Sequence, residues 1–184
     1  MDASTRFQLL VSVPDTGDDN FDRTVVYIVE HNDEGALGIV LNRPSETPVA
    51  EHLPDLDGPV ISPPVFFVGG PVAMGGLLAL GRRRLDAETA NVAPLAGPLA
   101  LVDAEALVNG AVEGVDALRL YTGYSGWGPG QLDAEVTAGA WHVVEAMPDD
   151  VLCAEPDDLW RSVMRRQGGR LASQGLYPDD PSVN

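Results

Sequence analysis

The chain contains no lysine, and that absence removes several kinds of chemistry at once. A phosphate-gripping lysine behind a glycine loop, a Schiff-base lysine and a lysine general base all need its amino group. Cysteine occurs once, at Cys153, which excludes an internal disulfide and a thiolate-rich zinc site. Cys153 lies in Asp150-Val151-Leu152-Cys153-Ala154, which reads as a short strand carrying a small buried side chain. Apolar runs are short, and none approaches the roughly 20 residues of a membrane-spanning helix. The first residues, Met1-Asp2-Ala3-Ser4-Thr5, lack the basic-then-apolar order of a signal peptide. A cytoplasmic protein that does not engage a membrane is the expectation.

Positive charge is also scarce. Eleven basic residues, all arginine, face 28 acidic ones, for a formal net charge of −17. Such a field repels phosphate backbones and disfavours direct nucleic-acid binding, while it promotes solubility. What the chain does have is enough apolar content, 45% over 184 residues, for one folded domain. We read residues 1–176 as that domain and the proline- and aspartate-rich 177–184 as a flexible tail.

Strand-like segments dominate. Phe7 to Val13 is apolar and ends at Pro14; an acidic loop follows over residues 15–20. Thr24 to Glu30 is β-branched and, with Ala36 to Leu41, predicts a hairpin across His31-Asn32-Asp33-Glu34-Gly35. Further strands are expected at Val65 to Val68, Gly76 to Leu80, Leu99 to Val102, Leu118 to Thr122, Trp141 to Glu145 and Val151 to Ala154. Short helices are expected at Pro48 to Leu53 with Thr47 as cap, at Asp103 to Asn109 and at Gln131 to Ala140. A longer one is expected at Pro156 to Gln167, stopped by Gly168-Gly169, whereas 54–64 and 85–97 read as irregular. Strands interspersed with helices, without strict alternation, imply a mixed α/β (α+β) domain rather than a doubly wound parallel sheet.

Two glycine-rich segments stand out, Gly69-Gly70-Pro71 and Gly123-Tyr124-Ser125-Gly126-Trp127-Gly128-Pro129-Gly130. Glycine at such density reads as turns that bring bare backbone close to a neighbour or a ligand. Neither segment completes a catalytic or phosphate motif. Around Ser125 the second glycine falls one position too early for a nucleophile elbow, so its hydroxyl reads as a turn group. The glycines after Gly126 miss the dinucleotide spacing by one position. Metal-binding order is missing as well: His31, His52 and His142 are scattered, and Asp15, Asp18, Asp19 and Asp22 lack the spacing of a calcium loop. No cofactor is expected. Arg43, in Asn42-Arg43-Pro44, is a fixed cation at a strand end, suited to a structural carboxylate or an anionic ligand. Two basic clusters, Arg82-Arg83-Arg84 and Arg161, Arg165, Arg166 and Arg170, are the only sequence candidates for a basic docking patch.

Together these pieces resemble the YqgE/AlgH family of bacterial proteins. The resemblance is carried by Asp18 to Phe21, Arg23 to His31, Gly35 to Pro44, Val68 to Val72 and Gly123 to Trp127. It continues through Gly130-Gln131-Leu132, Glu135, Ala140-Trp141 and Leu159-Trp160, in order along nearly the whole chain. It implies a mixed α/β fold with a curled, partly barrel-like sheet and flanking helices. It implies no established enzymatic activity, and a regulatory role, which the family name suggests, through a protein partner. It also singles out His31, Asn42 and Gln131 as polar family positions. We therefore expect a binding surface built from His31, Asn42, Arg43, Gly69, Gly70, Gly123, Ser125, Gly126, Trp127 and Gln131, in a non-enzymatic binding or adaptor domain for a protein partner or small ligand. The competing expectation is an enzyme acting on a small polar or anionic substrate, with His31 as base beside Asn42.

Overall fold

A computed structural model describes residues 4–14, 22–56 and 58–176. The acidic loop at 15–20, the Asp18 to Phe21 motif and the 177–184 tail lie outside the described residues.

The apolar runs pair as β1 (Gln8–Ser12), β2 (Val25–Asn32) and β3 (Gly35–Val40). The β2–β3 hairpin forms as expected, with a tighter turn: Asn32 opposes Gly35, and the Asn32 side chain accepts from the Glu34 amide at 2.8 Å. Next come β4 (Pro44–Pro48), α1 (Val49–His52), β5 (Val65–Val68) and β6 (Val72–Arg83). They are followed by β7 (Val92–Pro94), β8 (Leu99–Val102), α2 (Ala104–Val108) and β9 (Val115–Trp127). The chain then forms α3 (Gln131–Thr137), β10 (Trp141–Glu145), α4 (Pro148–Val151), α5 (Leu159–Arg166) and α6 (Gly169–Gln174).

Strand order is β10-β1-β2-β3-β9-β6-β8-β7, with β5 joining β4 to β9. The 13-residue β9 is the spine. Its last residues pair antiparallel with β3, its middle pairs parallel with β5, and β6 runs antiparallel along its other edge. The sheet curls about this strand into a half-barrel. Leu9, Val11, Val25, Tyr27, Ile39, Phe67, Leu80 and Tyr121 face its interior, which α5 closes with Trp160, Val163 and Met164. The alternate residues Leu10, Val26, Ile28 and Val40 pack outside against Trp127, Leu132 and Trp141. Burial on both faces explains why β2 reads as a continuous apolar run. A third cluster, with Phe66, Ala79, Leu118 and Leu120, sits under α1 and α2.

Several expectations need correction. Residues 123–127 are not a loop; they are the second half of β9, and only 128–130 turn. Val151 to Ala154 is not a strand. Val151 ends α4, where Pro148 leads the helix and Asp150 caps it by accepting from the Met147 amide at 2.7 Å. The strand at 76–80 extends to 72–83, and the 85–97 stretch contains β7. Helix α1 starts after Pro48, and Thr47 does not cap it. Asp103 does cap α2, accepting from the Ala106 amide at 2.6 Å. Helix α3 ends at Thr137, and the 156–167 helix divides into a 3-10 turn (Pro156–Asp158) and α5, with α6 beyond the glycines.

Arg119 was not singled out by its sequence context, yet it is fully buried. Its guanidinium lies 4.2 Å from the Phe67 ring and donates to the Ser62 and Cys153 carbonyls, tying two connections to the sheet. Burial lowers its pKa from the usual arginine range.

Candidate functional site

The two glycine segments converge. After β5 the chain must pass from one edge of β9 to β6 on the other, and residues 69–71 make that crossing over Gly123 and Tyr124. Backbone meets backbone there. A Cβ on Gly70 would lie 2.2 Å from the Tyr124 carbonyl carbon, and one on Gly123 would lie 2.4 Å from the Gly70 oxygen. Both glycines also have positive φ, 151° and 70°. Hydrogen bonds fix the crossing: Gly69 donates to the Thr122 carbonyl at 2.9 Å and accepts from Val40 at 2.9 Å, and Ser125 Oγ donates to Gly69 at 3.4 Å. Beyond it, Val72 opposes Tyr124, but the next pair is Leu77 with Thr122, so residues 73–76 bulge outward. Val72 and Met74 are exposed at this bulge, 38% and 50%.

Val72, just before the bulge, borders a cleft of about 280 Å³, bounded by Pro71, Val72, Ser125 and Gly126 on one side and Trp127, Trp141, Gln131 and Glu135 on the other. Its wall is built by α3. Gly130 adopts the left-handed conformation, φ 69°, and starts the helix. Gln131 reaches back, its Oε1 accepting from the Gly128 amide at 3.0 Å, and its Nε2 donates one turn ahead to Glu135 Oε1 at 3.0 Å. Glu135 Oε2 accepts from two indoles, Trp127 Nε1 at 3.0 Å and Trp141 Nε1 at 2.9 Å. The rings meet edge to face, centroids 6.4 Å apart at 78°. One carboxylate thus joins the end of β9, the start of β10 and α3.

A wider recess of about 650 Å³ shares Pro71 and Ser125 with the cleft and reaches Arg43, Val68 and Met74. A third hollow of about 490 Å³ lies on the far side of Val72 and Gly126, rimmed by Glu30 and Glu34. Arg43 is half-buried; it donates to the Asp22 carbonyl at 2.6 Å and the Thr24 hydroxyl at 2.9 Å, and burial lowers its pKa.

Eight of the ten expected site residues therefore gather at this crossing: Gly69, Gly70 and Gly123 form it, and Arg43, Ser125, Gly126, Trp127 and Gln131 line the recesses beside it. Asn42 stands apart, its Oδ1 accepting from the buried Val25 amide at 3.0 Å and its Nδ2 donating to the Arg23 carbonyl at 2.8 Å. His31 also lies off the cleft and lines none of these three recesses. Its Nδ1 accepts from the Thr5 amide at 3.1 Å, with the Thr5 hydroxyl at 3.0 Å, and its Nε2 faces Asp133 at 3.6 Å. Sequence reasoning missed Glu135 and Trp141 as site residues. The signal was present in the Gln131–Glu135 spacing, which puts both on one helix face.

Five of the seven arginines in the two basic clusters are engaged structurally. Arg82 pairs with Asp116, Arg84 with Asp86, Arg165 with Asp158 and Arg166 with Asp150, and Arg83 donates to the Gly97 carbonyl. Burial pushes the Cys153 thiol above its ordinary pKa, so little of it is thiolate at neutral pH. Among the described residues, no three His, Cys, Asp or Glu side chains stand together as metal ligands, and no helix is long and apolar enough to cross a membrane.

A curled antiparallel half-barrel with flanking helices, folded as one α+β unit around a glycine strand crossing, defines the class of this protein. The chain belongs to the AlgH-like family (DUF179), whose model matches residues 9–172. It is 46% identical over 182 residues to a UPF0301 protein of Streptomyces coelicolor, covering 96% of this chain and 94% of that one. A UPF0301 protein of Mycobacterium leprae is 43% identical over 179 residues, with 96% and 89% covered. Among solved structures, a crystal structure of a Corynebacterium diphtheriae protein superposes with a TM-score of 0.86 at 28% identity, covering 96% and 94% of the two chains. The solution structure of the AlgH protein from Pseudomonas aeruginosa gives 0.71 at 29% identity, covering 98% and 97%.

Proposed function

We propose that this protein is a non-enzymatic binding or adaptor domain, whose recognition surface is the cleft at the glycine crossing. The observation that carries this reading is the convergence of both glycine segments on one recess walled by Ser125, Trp127, Gln131 and Glu135, beneath an exposed apolar lip. Concave sites with apolar walls and a few convergent polar groups are where ligands bind. The groups there suit holding rather than bond-making. Ser125 Oγ donates to a backbone carbonyl, and Glu135 is fixed by three donors. His31, the base of the competing enzyme reading, bonds to Thr5 and faces Asp133 away from the cleft. A regulatory role would run through a bound partner or small ligand, and the net charge of −17 opposes direct nucleic-acid contact.

The test is retention of cell-extract components by the purified protein, with bound species read by mass spectrometry. Gln131→Ala and Val72→Arg are expected to lose at least one species that the native chain retains, with melting temperatures within a few degrees of it. Equal retention by all three proteins would remove the cleft as the recognition surface.

A further inference from the structure

The Glu135 carboxylate sets what the cleft can hold. An ionised carboxylate offers about four acceptor sites. Three are taken, two on Oε2 by the indoles and one on Oε1 by Gln131, and all three donors are neutral. They orient the carboxylate without cancelling its charge and leave one site on Oε1. Among the described residues, no arginine or histidine lines the recess. Its walls are largely apolar, and an electrostatic contact is stronger against such walls than in water. Indole rings attract cations, and a molecule of net charge −17 enriches them locally. At about 280 Å³ the cleft lies just below the roughly 300–1,000 Å³ of a drug-sized site, so it fits a head group on a short chain.

We propose that the cleft binds an organic cation, a primary ammonium or guanidinium head, which donates to Glu135 Oε1 beside the Trp127 and Trp141 rings. This rests on the cleft being the recognition surface and adds the chemical class of what it recognises. The same head can come from an arginine or lysine side chain of a polypeptide or from a free small molecule.

The experiment uses the full chain labelled with nitrogen-15. The indole signals of Trp127 and Trp141 are assigned through Trp127→Phe and Trp141→Phe. The probes are Nα-acetyl-arginine methylamide, its neutral citrulline counterpart and propionate. The arginine probe is expected to shift both signals saturably, the citrulline probe to bind at least 10-fold more weakly, and propionate to do nothing. Glu135→Gln, which keeps an acceptor oxygen for the indoles, is expected to weaken the arginine probe at least 10-fold while the spectrum stays dispersed. A pentapeptide with central arginine that binds at least 10-fold tighter than the free probe assigns the cation to a polypeptide; equal affinity assigns it to a small molecule. Citrulline binding as tightly as arginine, no response to any probe, or full arginine affinity in Glu135→Gln overturns the proposal. Extract retention that still depends on Gln131 and Val72 would then leave the recognition surface standing; retention independent of them removes both.

Discussion

The Asn42 carboxamide bonds two backbone groups that no regular pairing reaches, the Val25 amide and the Arg23 carbonyl. In the sequence it is a polar residue ending an apolar strand, and the family resemblance marks it without saying why. Removing its side chain strands a buried amide, and such an orphan costs about 1–3 kcal/mol. Asn42→Ala is expected to lower the unfolding free energy by about that amount in urea denaturation, whereas Gln131→Ala, which removes two exposed hydrogen bonds, lowers it by about 1 kcal/mol or less. An unchanged midpoint for Asn42→Ala would return that residue to the list of ligand contacts. Glu135 shows the opposite gap between sequence and structure. Its chemistry depends on two indoles from different strands, and no local spacing brings Trp127 and Trp141 together.

At the scale of elements, the strands that announced themselves were those with period or composition on their side. The 24–30 and 36–41 segments are β-branched and apolar, and they pair as expected. The elements that did not announce themselves break a local rule for a tertiary reason. Glycine inside a strand weakens it and marks close backbone approach, so the strand pattern of β9 ends at Thr122 in the sequence, whereas the crossing of residues 69–71 requires glycine beyond it. Strands β4 and β7 carry prolines and lie off the centre of the sheet, where proline is tolerated. The Val-Leu-Cys run after Pro148 resembles a strand, but the cap at Asp150 wins. This account of the crossing gives a graded expectation. Gly110 also has positive φ, 68°, with open space around its missing Cβ. Gly110→Ala should cost only the left-handed penalty, about 1–2 kcal/mol. Gly123→Ala adds a backbone clash and should cost about 3–5 kcal/mol. Thermal or urea unfolding of the two variants checks the order; equal losses would mean that the crossing relaxes freely.

At the scale of the whole molecule, the fold places the exposed Val72 and Met74 beside its aromatic cleft. The far end of β6 leads to Leu85, 81% exposed. Val72 opposes Tyr124 and Arg83 opposes Val115, nine steps along β9 at about 3.3 Å each, which puts the two ends on the order of 30 Å apart. The two positions are thus an internal comparison on one chain. The most direct measurement is photo-crosslinking in living cells with a benzophenone side chain at position 72 or at position 85, read as intact-protein mass. The account predicts a discrete adduct, protein or small molecule, from position 72 and none from position 85. Adducts of equal yield from both positions, or none from position 72, would contradict it.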